Sequence, residues 1–324
     1  MSVQLDAADI AHLSLHDPAH FSIQHSQTLH RLALLQHWNI TTGCRVLELG
    51  CGQGDCTTAL ASAVGEQGSV VAVDPAELDY GASSRLCTLL SLLMLLLKKR
   101  PSLTNNPAGS PYTLGQAQAH ISQGPLGRRV TWIQQSPLDY LSSLPPPSST
   151  SSSPVKTFDA VVLAHCLWYF PSSSLILSTF RALKQHSKRL LLAEWSLVAT
   201  HPSAQPHILA ALTQAALECR KPQSVSNVRT VLSPKRLTEL ALAAGWQIEN
   251  KARVQCEQGL LDGQWEVDAC LGASFEAQVE EKVSDERERA CVLALRDACE
   301  ASLKDVQDGR EGVRAMDVWV ATFV

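Results

Sequence analysis

Residues 45–54 read Arg-Val-Leu-Glu-Leu-Gly-Cys-Gly-Gln-Gly (RVLELGCGQG), an apolar stretch that runs into three glycines, Gly50, Gly52 and Gly54. A buried strand ending in such a turn, with a helix behind it, is a nucleotide-binding geometry. Glycine supplies the sharp bend and lets a ligand approach the backbone with no Cβ in the way. The helix is expected to begin at Asp55, where a negative charge suits the helix N-terminus. A second strand, Ser69–Val73, ends on Asp74, 24 residues past Gly50. Roughly that interval, about 20 residues, places a carboxylate on ribose hydroxyls in folds of this kind.

Working outward, the first question is which nucleotide. The dinucleotide fingerprint needs glycine or alanine where this chain has Asp55, and no Gly-Lys-Ser/Thr of a P-loop follows. The observed spacing is Glu48-x-Gly50-x-Gly52-x-Gly54. An acid at the strand end suits a ligand carrying an ammonium and a ribose better than a diphosphate, which wants lysine or a bare helix N-terminus.

This pattern resembles motif I of the class I S-adenosylmethionine-dependent methyltransferases. The resemblance implies a cofactor, S-adenosyl-L-methionine, and a set of residues around it. Gly50, Gly52 and Gly54 would lie against its methionine part and ribose, with Cys51 in the same turn. Glu48 would orient the ammonium, and Asp74 would take the ribose hydroxyls. Such families often have an acid after the third strand for the adenine amine; here Gln135-Ser136 stands there, which leaves Ser136 as the expected contact. Ala164, at the end of the fourth strand, completes the expected cofactor wall.

The rest of the chain fits a matching order of elements. Leu29, Leu32, Leu35 and Trp38 recur at helical spacing, which predicts an amphipathic helix over about 22–38 packed on the core. Further strands are expected at Val130–Ile133, Phe158–Leu163, Leu190–Ala193, Trp246–Val254 and Asp317–Phe323. Between them lie helices near 113–122, after Ser172, near 206–219, and after Ser233-Pro234, an N-cap followed by a first-turn proline. The expected fold is α/β: a three-layer, doubly wound, mostly parallel seven-stranded sheet, with helical additions at the N-terminus and before the last strand. Residues 1–40 read as an N-terminal helical cap and 41–324 as the methyltransferase domain, with a charged helical excursion over about 256–310.

Composition narrows the function. The chain has 324 residues, 45% hydrophobic and 18% charged, as a globular protein with a real core should. Its net charge of −4 offers no basic surplus for phosphates, so a nucleic-acid partner is not expected. The N-terminus has no signal-peptide pattern, and ten cysteines without a Cys-x-x-Cys pair read as reduced thiols, so a cytoplasmic protein is expected. Six of the eleven histidines fall in the first 37 residues, but Pro18 interrupts their spacing and no metal is expected.

For methyl transfer the residues after the fourth strand matter most. His165 is the candidate general base, since a histidine can be poised near neutral pH; the alternative is that it only shapes the pocket. Trp168, Tyr169 and Phe170 either stack on an aromatic acceptor or serve as core for the next helix. The lead reading is methyl transfer to a small organic acceptor, at oxygen or nitrogen. A non-methylating enzyme of the same fold and an inactive methyltransferase-like partner subunit stay open. No integral membrane span is expected, and the oligomeric state is not legible.

Two segments depart from the pattern. Leu144–Pro154 is Pro/Ser-rich and reads as a flexible surface loop. Residues 83–110 make the connection after Asp74 far longer than a usual βα loop. They include Leu86–Leu97, twelve residues dominated by leucine, against the ~20 a bilayer span needs. A buried or lid helix, a membrane-surface patch and intrusive sequence from a retained intron are the three readings. Deleting 83–110 separates them: a native segment that buries its leucines gives a clearly lower melting temperature when removed. An intrusive one leaves a form at least as stable, with cofactor binding kept.

Overall fold

In the computed structural model, residues 6–81, 112–145, 156–221, 223–224 and 226–324 are described. Arg45–Leu49 forms strand β1, an interior strand of a seven-stranded sheet. The other strands are β2 (Ser69–Asp74), β3 (Val130–Gln134), β4 (Ala160–Ala164), β5 (Leu190–Trp195), β6 (Ile248–Val254) and β7 (Val318–Phe323). Their order across the sheet is β3-β2-β1-β4-β5-β7-β6. The first five run parallel and β7 is antiparallel to both its neighbours. Strands buried on both faces read as continuous apolar runs, and every residue of β5 and β7 is buried. The strand order reverses between β1 and β4, and the crevice beyond their carboxyl ends is where such sheets bind ligands.

Helices cover both faces. One face carries α2 (Phe21–Trp38) and α3 (Asp55–Val64), packing Trp38, Leu34 and Leu60 on Val46, Val162 and Leu191. On the outer edge, α4 (Leu114–Gln123) sits above β3. The opposite face carries α6 (Ser173–His186) and α8 (Pro234–Ala243), with Phe180, Leu183, Leu237 and Trp246 on Leu47, Val161 and Leu192. The region before β7 folds into α9 (Asp262–Leu271), α10 (Ala273–Lys282) and α11 (Glu286–Ser302). These wrap α7 (Gln205–Glu218) and build two small cores, one around Val267, Cys270 and Cys299, the other around Phe275, Val279 and Val292.

Several elements differ from the sequence reading. Two short helices are additional. α1 (Ala7–Ala11) is closed by a capping box between Asp6 and Asp9, and α5 (Pro137–Ser143) is capped by Ser136. The sixth strand starts at Ile248 rather than Trp246, because Trp246 is buried and donates its indole N–H to the Phe180 carbonyl at 2.9 Å. α2 spans the expected residues, and of the expected stripe Leu35 and Trp38 are buried and Leu32 packs on the core, but its N-terminal half turns a polar face inward. Leu29 is 42% exposed, whereas Gln27, Thr28, His30, Leu34, Leu35 and Trp38 are buried. Apolar periodicity misses that half because part of the helix faces a polar site and not the core.

Residues 83–110 and all but the first two residues of Leu144–Pro154 lie outside the described residues. Among the described residues no helix is long and apolar enough to cross a membrane. The described cysteines are all free thiols.

The burial pattern sets a stability contrast. Trp246→Ala removes a buried indole and its hydrogen bond and should cost ~3–5 kcal/mol. Leu29→Ser, on the exposed side of α2, should stay within about 0.5 kcal/mol of the parent. Urea denaturation of both variants checks this, and a large loss for Leu29→Ser would return that residue to the core.

Candidate active site

The site is built on the turn between β1 and α3. Gly50, Gly52 and Gly54 all have positive φ, at 74°, 51° and 97°. A Cβ on Gly50 would stand 2.5 Å from the Cys166 Cβ, and one on Gly54 would stand 2.7 Å from both Ile121 and Trp132. The turn is therefore wedged between the end of β4 and the β3–α4 edge. Its backbone is held on three sides. Gly50 N–H donates to the Val73 carbonyl at 2.8 Å, Gly52 N–H donates to the Asp74 carboxylate at 2.9 Å, and Gln118 donates to the Gly52 carbonyl at 3.0 Å. Beyond Gly52 the space is open, with nothing within 4 Å of where its Cβ would stand. An open backbone flanked by two carboxylates, Glu48 and Asp74, fits a ligand carrying a ribose and an ammonium.

Glu48, the penultimate residue of β1, is buried and accepts the Thr57 hydroxyl at 2.5 Å. Burial outweighs that bond and raises its carboxyl to about 7. Asp74 is half-buried; its second oxygen accepts the Ala76 N–H at 2.9 Å. Cys51 lies in the turn, and burial pushes its thiol and that of Cys166 up, so both stay protonated. Ala164 is the last residue of β4, opposite Ala193. Ser136 stands beyond the end of β3, but its hydroxyl is engaged with Asp139 at 2.6 Å as the cap of α5. The structure thus gathers Glu48, Gly50, Cys51, Gly52, Gly54, Asp74 and Ala164 around one crevice, with Ser136 beyond the neighbouring strand.

His165 follows β4 with φ at 53°, a left-handed backbone that is uncommon away from glycine. Its Nε2 meets the His30 Nε2 at 2.9 Å, and its Nδ1 faces the Glu194 carboxylate at 3.8 Å. Burial holds both imidazoles well below their usual pKa, so both are neutral at pH 7 and one donates to the other. Trp195 lies against His165 with ring centroids 4.3 Å apart. Glu194 accepts the backbone N–H groups of Leu167 and Trp168 with one oxygen and that of Trp195 with the other. Burial nonetheless raises its carboxyl to about 7. Trp168 and Phe170 are buried as core, whereas Tyr169 is 44% exposed.

A further group of residues, absent from the sequence reading, comes from α2 and α9. Gln27 donates to Asp262 at 2.8 Å, and Gln214 donates to Glu266 at 2.5 Å. Asp262 and Glu266 occupy successive turns of α9. Burial raises the first and takes the second to about 7. The Tyr169 hydroxyl lies within electrostatic reach of Glu266, Glu194 and Asp262. Arg31 sits among Glu48, Glu194 and Asp262. The only sequence signals were the helix around Arg31 and a pair of acids four residues apart, which reads equally well as a solvated helix face.

Known proteins share this architecture. The family model for protein-L-isoaspartate(D-aspartate) O-methyltransferase matches residues 13–91, which include the glycine turn. Methyltransferase phomM' of Diaporthe leptostromiformis is 28% identical over 308 residues, covering 85% of this chain and 72% of that protein. The crystal structure of a cyclopropane-fatty-acyl-phospholipid synthase-like protein from Lactobacillus casei superposes with a TM-score of 0.75. That protein is 29% identical, with 98% of each chain covered. Fold, turn and relatives together give this chain the class I fold of S-adenosylmethionine-dependent methyltransferases. S-adenosylmethionine is its cofactor and methyl transfer its reaction.

The raised carboxyl of Glu48 has a consequence for stability. The folded, cofactor-free protein keeps a proton that the unfolded chain releases near 4.5. The stabilisation of the protonated form is therefore full below pH 4.5 and lost as pH rises through about 7. Glu48→Gln, neutral and close in shape, should match the parent near pH 5 and gain on it toward pH 8, by on the order of 3 kcal/mol. Thermal melts at several pH values check this; a difference independent of pH would show that the carboxyl is not raised.

Proposed function

We propose that the enzyme methylates a small organic acceptor at a basic nitrogen, and that the acceptor enters beside Tyr169. The observation that carries this reading is the acid lining: Glu194, Asp262 and Glu266 approach the site around Tyr169, with Arg31 as the cationic neighbour of the first two. Buried carboxylates that are costly to ionise alone become favourable against a bound cation. When bound, the cofactor supplies an electrophilic methyl group on its sulfonium. The protein's part is to hold the acceptor in line and to take up its proton, which frees the nitrogen lone pair.

Glu266 suits the proton acceptor. Its carboxyl sits at about 7, it is half-buried, and Gln214 fixes one oxygen while leaving the other available. His165 suits a positioning role, because its two nitrogens face His30 and Glu194. Glu194 in turn ties down the loop of Leu167 and Trp168 beside the site. Glu48, Gly50, Cys51, Gly52, Gly54, Asp74 and Ala164 are assigned to the cofactor side, and Ser136 to the edge of the adenine end. We place the protein in the cytoplasm on its free thiols. The name of the Lactobacillus protein points to a fatty-acyl lipid, but a long apolar chain is poorly matched to three converging acids.

Labelled methyl from S-adenosylmethionine, offered with a metabolite pool, should appear in a cationic product that is resolved from the labelled cofactor and absent without enzyme. Label confined to neutral or lipid fractions would overturn the basic acceptor. Glu266→Gln should lower transfer roughly 100-fold and leave cofactor affinity unchanged. Asp74→Ala should weaken S-adenosylmethionine binding by ~1.5–3 kcal/mol, read by calorimetry; unchanged affinity would remove Asp74 from the site.

A further inference from the structure

Helix α2 is fixed beside the glycine turn by two residues of its N-terminal half. Gln24 donates to Asp55, the residue after Gly54, at 3.0 Å, and Gln27 donates to Asp262 at 2.8 Å. Thr28, Leu34, Leu35 and Trp38 are buried along the same face. Arg31 shares it, two helical turns from Gln24, and is thereby directed at the end of β1 and the start of α3.

The Arg31 guanidinium has a nitrogen, Nη1, that is shielded from solvent and has no hydrogen-bond partner. Among the described residues Arg31 forms no hydrogen bond or ion pair, although Glu48, Glu194 and Asp262 all lie within its electrostatic reach. A charged donor left unpaired in the interior carries a large desolvation cost, which a bound partner removes. That partner must be an anion. A simple anion such as phosphate would face Glu48, Asp74 and Glu194 with nothing to offset them. A zwitterion fits: its carboxylate meets the guanidinium fork while its ammonium lies toward Glu48.

We propose that Arg31 anchors the α-carboxylate of S-adenosylmethionine, opposite Glu48 at the ammonium. The proposal rests on the reading of the glycine turn as the cofactor site and adds to it a residue that the motif does not contain. Arg31 fixes the amino-acid tail from a helix that Gln24 and Gln27 already hold on the turn.

The test uses calorimetry on the full chain with three probes: S-adenosylhomocysteine, its decarboxylated analogue, and methylthioadenosine, which lacks the whole amino-acid tail. Arg31→Met should weaken S-adenosylhomocysteine about 10- to 100-fold. It should leave the decarboxylated analogue and methylthioadenosine within about twofold of the parent. Arg31→Lys should recover part of the loss, since it keeps the charge but not the fork. Full S-adenosylhomocysteine affinity in Arg31→Met would overturn the proposal, and so would an equal loss for all three probes, which would mark a structural role. An acceptor carboxylate as the true partner would show as unchanged S-adenosylhomocysteine affinity with a raised acceptor KM. If the parent protein bound none of the probes, the cofactor reading itself would fail, and this outcome is distinct from the others.

Discussion

The left-handed backbone of Gly50, pressed against Cys166, is the constraint on which the site depends. It brings the ends of β1 and β4 close enough that a methyl group in place of hydrogen would collide with Cys166 at 2.5 Å. The same turn is wedged on its other side by Gly54 against Ile121 and Trp132. Two glycines thus set the width of the crevice at the point where the strand order reverses, and Gly52 between them leaves the approach open. Asp74 completes the arrangement by accepting the Gly52 N–H. The acid that the motif reserves for the ribose also braces the turn that receives the rest of the ligand.

Around this turn the protein concentrates buried charge. Glu48, Glu194 and Glu266 are each raised to about 7 by burial. Each works against folding at neutral pH in the free protein, since the folded state disfavours the ionised form. The neutral histidine pair, His30 and His165, has the opposite sign: it loses stabilisation as the pH falls, because folding disfavours the imidazolium. Strain of this sort is found where ligands are bound, because a bound cation or zwitterion relieves it. Binding and stability are therefore linked, and the cofactor should stabilise the fold by more than its contact area implies.

The sequence was a good guide wherever a local pattern carries the information. The apolar runs located the strands to within a few residues, since strands buried on both faces have little choice of side chain. Ser233-Pro234 marked α8 because capping chemistry is local. The same reading held on α2 for Leu35 and Trp38 but missed its N-terminal half. There Leu29 is exposed, while Gln27, Thr28 and His30 are buried. A helix that lines a polar site buries polar residues, and hydrophobic periodicity has no sign for that.

What the sequence by itself determined is the turn: Glu48, the three glycines and Asp74 lie within 27 residues, and their spacing is fixed by one strand–turn–helix–strand unit. What only the tertiary structure decided is the company they keep. Arg31 comes from a helix that precedes the turn, Glu194 from β5, and Asp262 and Glu266 from a helical excursion more than 200 residues later in the chain. None of these residues constrains its own local conformation, so none leaves a mark in the local pattern. They meet because the sheet order puts β5 beside β4, and because Gln27 and Gln214 tie α9 to α2 and α7.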